Sequence, residues 1–225
     1  MKKYALILAG GSGKRIQRTT AKAFLTINNL LLFEYSLLQF ISTKEIDAII
    51  LVVPEEYLSV SKKLIHKKKY SKVTKVLVGG ASRFESSFIG LSSIEETDAQ
   101  VLIHDAARPF INNTTINNCI KALDKYDAVN ILSPINDSIV EIKGQHIIGV
   151  ADRTKFRQVQ TPQGFTLTAI KKAQNLAIRD KLENITDDFN LVLKYKTGTS
   201  TWIEGSRNNI KITYPDDIIL AKKTL

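Results

Sequence analysis

A chain of 225 residues, 44% of them apolar, has room for one α/β domain with a substantial core and is too apolar to be disordered over most of its length. Its 32 Lys and Arg outnumber 22 Asp and Glu, a balance of +10 that suits a polyphosphate ligand, a nucleic acid or a membrane surface. The single cysteine, Cys119, excludes an intramolecular disulfide and a multi-cysteine metal site, and His66, His104 and His146 lack metal-ligand spacing.

In chain order, the apolar run from Tyr4 to Ala9 reads as a buried strand. Gly10-Gly11-Ser12-Gly13-Lys14-Arg15 follows, and Lys22 lies a little further on. Glycines let backbone N–H groups approach an anion closely, and Arg15 and Lys22 bring two fixed cations to it. This suits a triphosphate whose charge is neutralised while one phosphoryl bond is exchanged for another. Two better-known phosphate loops fail on spacing. Ile16 stands where a dinucleotide fingerprint needs its third glycine; Leu8 and Arg15 replace the first glycine and the hydroxyl residue of a P-loop.

Lys2-Lys3 before an apolar run superficially resembles a signal peptide, but the run lasts only about six residues. No stretch approaches the roughly eighteen apolar residues of a membrane span, so a cytoplasmic location is expected. Apolar runs at Ile46 to Val53, Val73 to Val78, Val101 to His104 and Ala128 to Ser133 predict strands. Leu31 to Ile41, Glu55 to Lys67, Ser86 to Glu95 and Thr114 to Lys125 carry helical spacing between them. Such alternation predicts a mostly parallel sheet covered on both faces, with ligands beyond the carboxyl ends of its strands. The loops at Gly10, Gly79-Gly80-Ala81-Ser82-Arg83 and Asp105-Ala106-Ala107-Arg108-Pro109 then face one crevice. Cys119 is expected to pack on the inner face of its helix.

The basic run Lys62-Lys63 to His66-Lys67-Lys68-Lys69 reads as a solvated helix end without the interleaved aromatics of a nucleic-acid surface. Asp137 to Ile142 and His146 to Ala151 form a hairpin pair around Lys143-Gly144. Gln160-Thr161-Pro162-Gln163-Gly164 reads as a rigid turn. Thr168 to Arg179 reads as a helix, Thr186-Asp187-Asp188 as a helix start, and Thr201-Trp202-Ile203 as part of a strand. Asn208 to Thr213 reads as a late strand that sends Lys211 outward, and Pro215 opens a final helix.

These motifs together resemble one family: Arg15 with Lys22, Gly79-Gly80 with Arg83 and Ser86, His104-Asp105-Ala106-Ala107-Arg108-Pro109, Asp152-Arg153, Gln160-Thr161-Pro162-Gln163, Thr186-Asp187-Asp188, and Asn209-Ile210-Lys211-Ile212-Thr213. Nearly the whole chain is similar to the 2-C-methyl-D-erythritol 4-phosphate cytidylyltransferases. The resemblance implies a single nucleotidyltransferase domain over residues 1–225 with a doubly wound, Rossmann-like α/β sheet and a protruding hairpin arm at about 134–156. It also implies transfer of CMP from CTP to the sugar-alcohol phosphate, with diphosphate leaving and Mg²⁺ carried mainly by the phosphates rather than by protein ligands.

Carried over by position, Arg15 and Lys22 stabilise the charge on the α-phosphate and leaving diphosphate, while Arg153 and Lys211 grip the acceptor phosphate. Asp105, Ala106, Arg108, Thr161 and Thr186 line the acceptor pocket, with a hydroxyl from Ser138. Gly80, Ala81 and Ser86 hold the cytidine with the loop residues Ala9, Gly10, Gly11 and Gly13. The same resemblance implies a homodimer in which the arm acts in trans, and neither nucleic acid nor membrane as partner. This chain departs from the family pattern at Ala21, where proline is usual, at Ala81, where an acid is common, and at Ser138, where threonine is common. A sister family that uses ribitol 5-phosphate shares these basic residues and is the alternative reading.

Overall fold

The structure is a computed structural model that describes residues 1–10, 21–183 and 185–225. Gly11, Gly13 and Arg15 lie outside the described residues.

Among the described residues the chain builds a seven-stranded sheet in the order β5-β4-β1-β6-β10-β7-β11. Its strands are β1 (Lys2–Leu8), β4 (Ala48–Val53), β5 (Val73–Val78), β6 (Ala99–Asp105), β7 (Ala128–Pro134), β10 (Arg157–Thr166) and β11 (Ser200–Glu204). Two short strands, β2 (Thr26–Ile27) and β3 (Leu30–Leu31), pair beside it, as do β8 (Ile139–Lys143) and β9 (His146–Ala151). The helices are α1 (Leu32–Ser42), α2 (Leu58–Lys67), α3 (Arg83–Ser92), α4 (Asn113–Leu123), α5 (Leu167–Arg179), α6 (Phe189–Tyr195) and α7 (Pro215–Thr224).

The unbroken apolar runs of the sequence are the central strands. All six residues of β4 are buried, as parallel strands covered on both faces require. Alternation divides their side chains between two layers. Ile7, Leu51 and Leu102 join Phe33 and Phe40 on one face, while Leu6, Ile50 and Val101 join Leu91, Phe165 and Ile170 on the other. Cys119 is fully buried in the first layer, where burial pushes its thiol up to about 12, so it packs and does not react.

The predicted strands and helices form with shifted ends, except the late strand at Asn208 to Thr213. A 3₁₀ turn at Glu55–Tyr57 precedes α2. Helix α3 begins at Arg83 because the Ser82 hydroxyl caps it, accepting from Glu85 N–H at 3.0 Å. Pro215 occupies the first turn of α7, and Asp217 accepts from the Tyr214 N–H at 2.8 Å.

Two expectations are corrected. Gln160 to Gly164 is not a turn but the middle of β10, which runs antiparallel to both β6 and β7. The register on β7 shifts between Gln160 and Gly164, which accommodates Pro162, a residue with no N–H for the ladder; the Thr161–Pro162 bond is cis. Asn208 to Thr213 is not a strand. Its carbonyls are taken by side-chain cations, described below, instead of by a neighbouring strand.

Candidate active site

Register sets where the loops emerge. Leu8 lies opposite both Val52 and Asp105, and Val53 opposite Val78, so β1, β4, β5 and β6 end at one edge. Single backbone bonds continue the ladder past those ends: Ala9 N–H to Val52 O at 2.8 Å, Gly79 N–H to Val53 O at 2.8 Å, and Ala106 N–H to Leu8 O at 3.0 Å.

On one side of this edge stand Gly10, Gly79, Gly80 and Ser86. The Ser86 hydroxyl donates to Ser82 O at 2.9 Å and lies 2.7 Å from where a Cβ on Gly79 would stand, so only glycine fits there. A Cβ on Gly80 would meet Glu85 at 2.4 Å. Ala81 is exposed, and the Glu85 carboxylate accepts its N–H at 2.8 Å.

On the other side, Asp105 ends β6 and accepts from Arg83 Nε at 3.1 Å and Lys211 Nζ at 2.6 Å. Arg83 reaches on to Asp188 at 2.6 Å, and Asp188 also accepts from Ser87 at 2.7 Å and Gln174 at 3.2 Å. Asp188 is thus taken up by Arg83, Ser87 and Gln174, and within the Thr186-Asp187-Asp188 helix start it is Asp187 that caps α6, accepting from Asn190 N–H at 2.9 Å. The Asp105 N–H donates to the Thr161 hydroxyl at 3.1 Å, which leaves the Thr161 proton for His104 Nδ1 at 3.1 Å. His104 Nε2 is then the protonated nitrogen and donates to Arg108 O at 3.2 Å.

The Asn209–Thr213 segment is tied over this cluster. Arg108 donates to Asn209 O at 2.9 Å and to Val159 O at 3.1 Å; Asn209 Nδ2 donates to Thr161 O at 2.9 Å. Ile212 N–H donates to Ala107 O at 2.8 Å, and Lys22 Nζ donates to Ile212 O at 2.6 Å.

The structure therefore brings together Lys22, Asp105, Arg108, Thr161 and Lys211, with Gly10, Gly80 and Ser86 linked to them through Arg83 at the start of α3. Ala9 and Ala106 lie beside them with their side chains in the core. Thr186 is exposed just ahead of α6. Ser138 and Arg153 stand apart on the β8–β9 arm, both exposed, and Arg153 donates to the carbonyl of Asn136.

A profile of the 2-C-methyl-D-erythritol 4-phosphate cytidylyltransferase family matches residues 4–225. The chain belongs to that family. The 2-C-methyl-D-erythritol 4-phosphate cytidylyltransferase of Thermobifida fusca is 34% identical across 98% of this chain and 92% of its own length. The bifunctional ribulose 5-phosphate reductase/CDP-ribitol pyrophosphorylase of Haemophilus influenzae is 35% identical across 99% of this chain but only 48% of its own length. Among solved structures, 4-diphosphocytidyl-2C-methyl-D-erythritol synthase from Anaerococcus prevotii superposes with a TM-score of 0.85 at 28% identity, over 99% of this chain and 97% of that one. This is a nucleotidyltransferase family with a mostly parallel α/β fold, and the present chain shares both.

Electrostatics at this cytidylyltransferase site follow from burial and pairing. Burial pushes the Asp105 carboxyl up, but Arg83, Lys211 and Arg108 outweigh it and hold the group well below the usual carboxylate range. Burial lowers Arg83 while Asp105 and Asp188 more than reverse it, so the net direction is upward. Burial also pushes His104 down to about 4, which leaves it neutral at pH 7. The result is a fixed, ionised carboxylate flanked by permanent cations, a site preorganised to hold anions. Arg83, Asp188, His104 and Asn209 are missing from the sequence-derived site. Each lies inside a motif the sequence displays, yet its role depends on contacts between elements far apart in the chain.

Proposed function

We propose that this chain transfers CMP from CTP to 2-C-methyl-D-erythritol 4-phosphate. The acceptor's phosphate oxygen attacks the α-phosphorus and diphosphate departs. Such chemistry needs positioning and charge neutralisation more than a covalent nucleophile. The observation that carries this reading is that Lys211 and Arg83 pair with Asp105 at the end of β6, while Lys22 and Arg108 hold carbonyls of the Asn209–Thr213 segment beside it, in a chain of this family.

In this proposal cytidine lies against Gly10, Gly80, Ala81 and Ser86, beyond the ends of β1 and β5 and at the start of α3. Lys22 and Arg15 meet the triphosphate. Lys211 meets the acceptor phosphate, with Asp105 holding its ammonium in place. Asp105 is already shared by two cations, and in this reading magnesium is borne by the phosphates, where it offsets their charge.

The arm supports a homodimer. No residue of β8 or β9 is buried, and Val140, Ile142, Ile147, Ile148 and Val150 are exposed. A second copy laid on the arm covers them and carries Arg153 and Ser138 to its neighbour's site. No helix among the described residues is long and apolar enough to cross a membrane, and we place the enzyme in the cytoplasm.

Diphosphate release is the direct test, with CTP and each acceptor in turn. Turnover with methylerythritol phosphate and not with ribitol 5-phosphate supports the reading. The Haemophilus influenzae relative favours ribitol 5-phosphate as the second candidate, and turnover of that acceptor alone would replace ours. Lys211→Ala is expected to cut kcat/KM for the acceptor by about a hundredfold or more, and a loss under threefold would remove Lys211 from its role.

A further inference from the structure

Arg207 sits in the turn between β11 and the Asn209–Thr213 segment, exposed, with no hydrogen bond or ion pair among the described residues. It lines two cavities at once. One, of about 350 Å³, is bounded by Ser133, Asn136, Asp137 and Gln158 at the root of the arm. The other, of about 370 Å³, is bounded by Arg108, Asn209, Lys211 and Asp217. Gln158 also lines both, so they form one groove from the arm's root to the Lys211 site.

The cations along this groove are not equally available. Arg108 gives both its terminal nitrogens to backbone carbonyls, and Lys211 gives its ammonium to Asp105. Asp217 is engaged by the N–H groups of Thr213 and Tyr214 at 2.6 and 2.8 Å. Arg207 alone among these groups presents an uncommitted guanidinium fork, the geometry that grips a phosphate through two parallel N–H donors.

We propose that Arg207 is a substrate-binding residue that contacts the phosphate monoester of the acceptor from within its own subunit. This rests on the transferase reading above. It gives the acceptor a cation midway between Lys211 and the arm's root, where Asn136 anchors Arg153. An acceptor of this class then meets a site partly assembled before any neighbouring subunit contributes.

The test is steady-state kinetics of Arg207→Gln and Arg207→Lys with CTP and methylerythritol phosphate. Lys125→Gln, an exposed charge removed at the end of α4, serves as control. Because Arg207 holds nothing in the fold, both variants are expected to unfold at the parent's temperature. Loss of a charge-assisted contact predicts an acceptor KM raised about tenfold in Arg207→Gln, with the CTP KM unchanged and the lysine variant in between. An acceptor KM within twofold of the parent overturns the proposal. So does an equal rise in Lys125→Gln, which would trace the effect to overall charge. If the parent turns over neither acceptor, the transferase reading falls and this inference with it, an outcome visible before any variant is made.

Discussion

The carboxyl edge of the sheet and the β8–β9 arm solve opposite problems with similar residue types. At the edge, Asp105 is answered by Arg83 and Lys211, Asp188 by Arg83, Ser87 and Gln174, and His104 by Thr161 and Arg108. Every one of those partners belongs to the same chain. On the arm, five aliphatic side chains face outward from a two-stranded sheet that buries nothing. Isolated hairpins of that kind are marginal in water, and in the homodimer proposed above a second copy completes the arm. On that proposal stability is concentrated in the first region and assembly is left to the second.

The widest gap between the two regions should appear on removing Arg83. Its guanidinium is the shared partner of two buried carboxylates, one ending β6 and one preceding α6. Arg83→Met leaves Asp188 with neutral partners only and Asp105 with Lys211 as its remaining ion-pair partner. Breaking a buried pair in this way costs about 3–5 kcal/mol. Urea unfolding of the variant should show that loss. A cost below about 1 kcal/mol would mean the two carboxylates find other partners and the edge is less tightly determined than its contacts indicate.

Acid should weaken the edge next, by a definite route. His104 titrates near 6.5 when unfolded and about 4 when folded, because burial disfavours its charged form. Between those values the unfolded chain binds a proton that the folded chain does not, so stability falls as pH drops from 6.5 to 4. The full loss is about 3 kcal/mol. Asp105 contributes in the same sense only in stronger acid, since its folded value lies well below the carboxylate range. Unfolding curves at pH 7 and pH 4.5 for the parent and His104→Gln separate the two, and an unchanged slope in the variant would exclude His104 as the source.

How much of this was legible in the sequence follows the same division. The strands and helices are readable because burial on two faces writes continuous apolar runs, as in Ala48–Val53, and burial on one face writes helical spacing, as in Asn113–Leu123. Asp105, Lys211 and Lys22 are readable as site candidates because small residues and lone charges cluster on loops at strand ends. Gln160 to Gly164 misleads because glutamine, threonine, proline and glycine have turn chemistry locally, whereas pairing on both sides holds them in a strand. Arg83 and Asp188 are invisible as a pair because they lie far apart in sequence and nothing local joins them. The arm's hairpin is readable from Lys143-Gly144, and Gly144 does adopt φ +61°; what covers its apolar face is not written in any local pattern.

The smallest stability effect belongs to the arm, and it sharpens the contrast most. Ile147 and Val150 are 69% and 79% exposed, so Ile147→Asp with Val150→Asp removes almost no buried area from the isolated chain. Surface changes of this kind stay within about 0.5 kcal/mol, and each subunit should unfold nearly as before at low concentration. In a dimer built through the arm, two charges a side must be desolvated against an apolar partner, which opposes association strongly. Sedimentation equilibrium should then show monomers where the parent forms dimers. Activity should fall in step if Arg153 serves the neighbouring site, and addition of an Arg15→Ala chain with an intact arm should restore part of it through mixed dimers. Dimers that survive both aspartates would place the interface elsewhere and leave the arm's apolar face without its proposed cover.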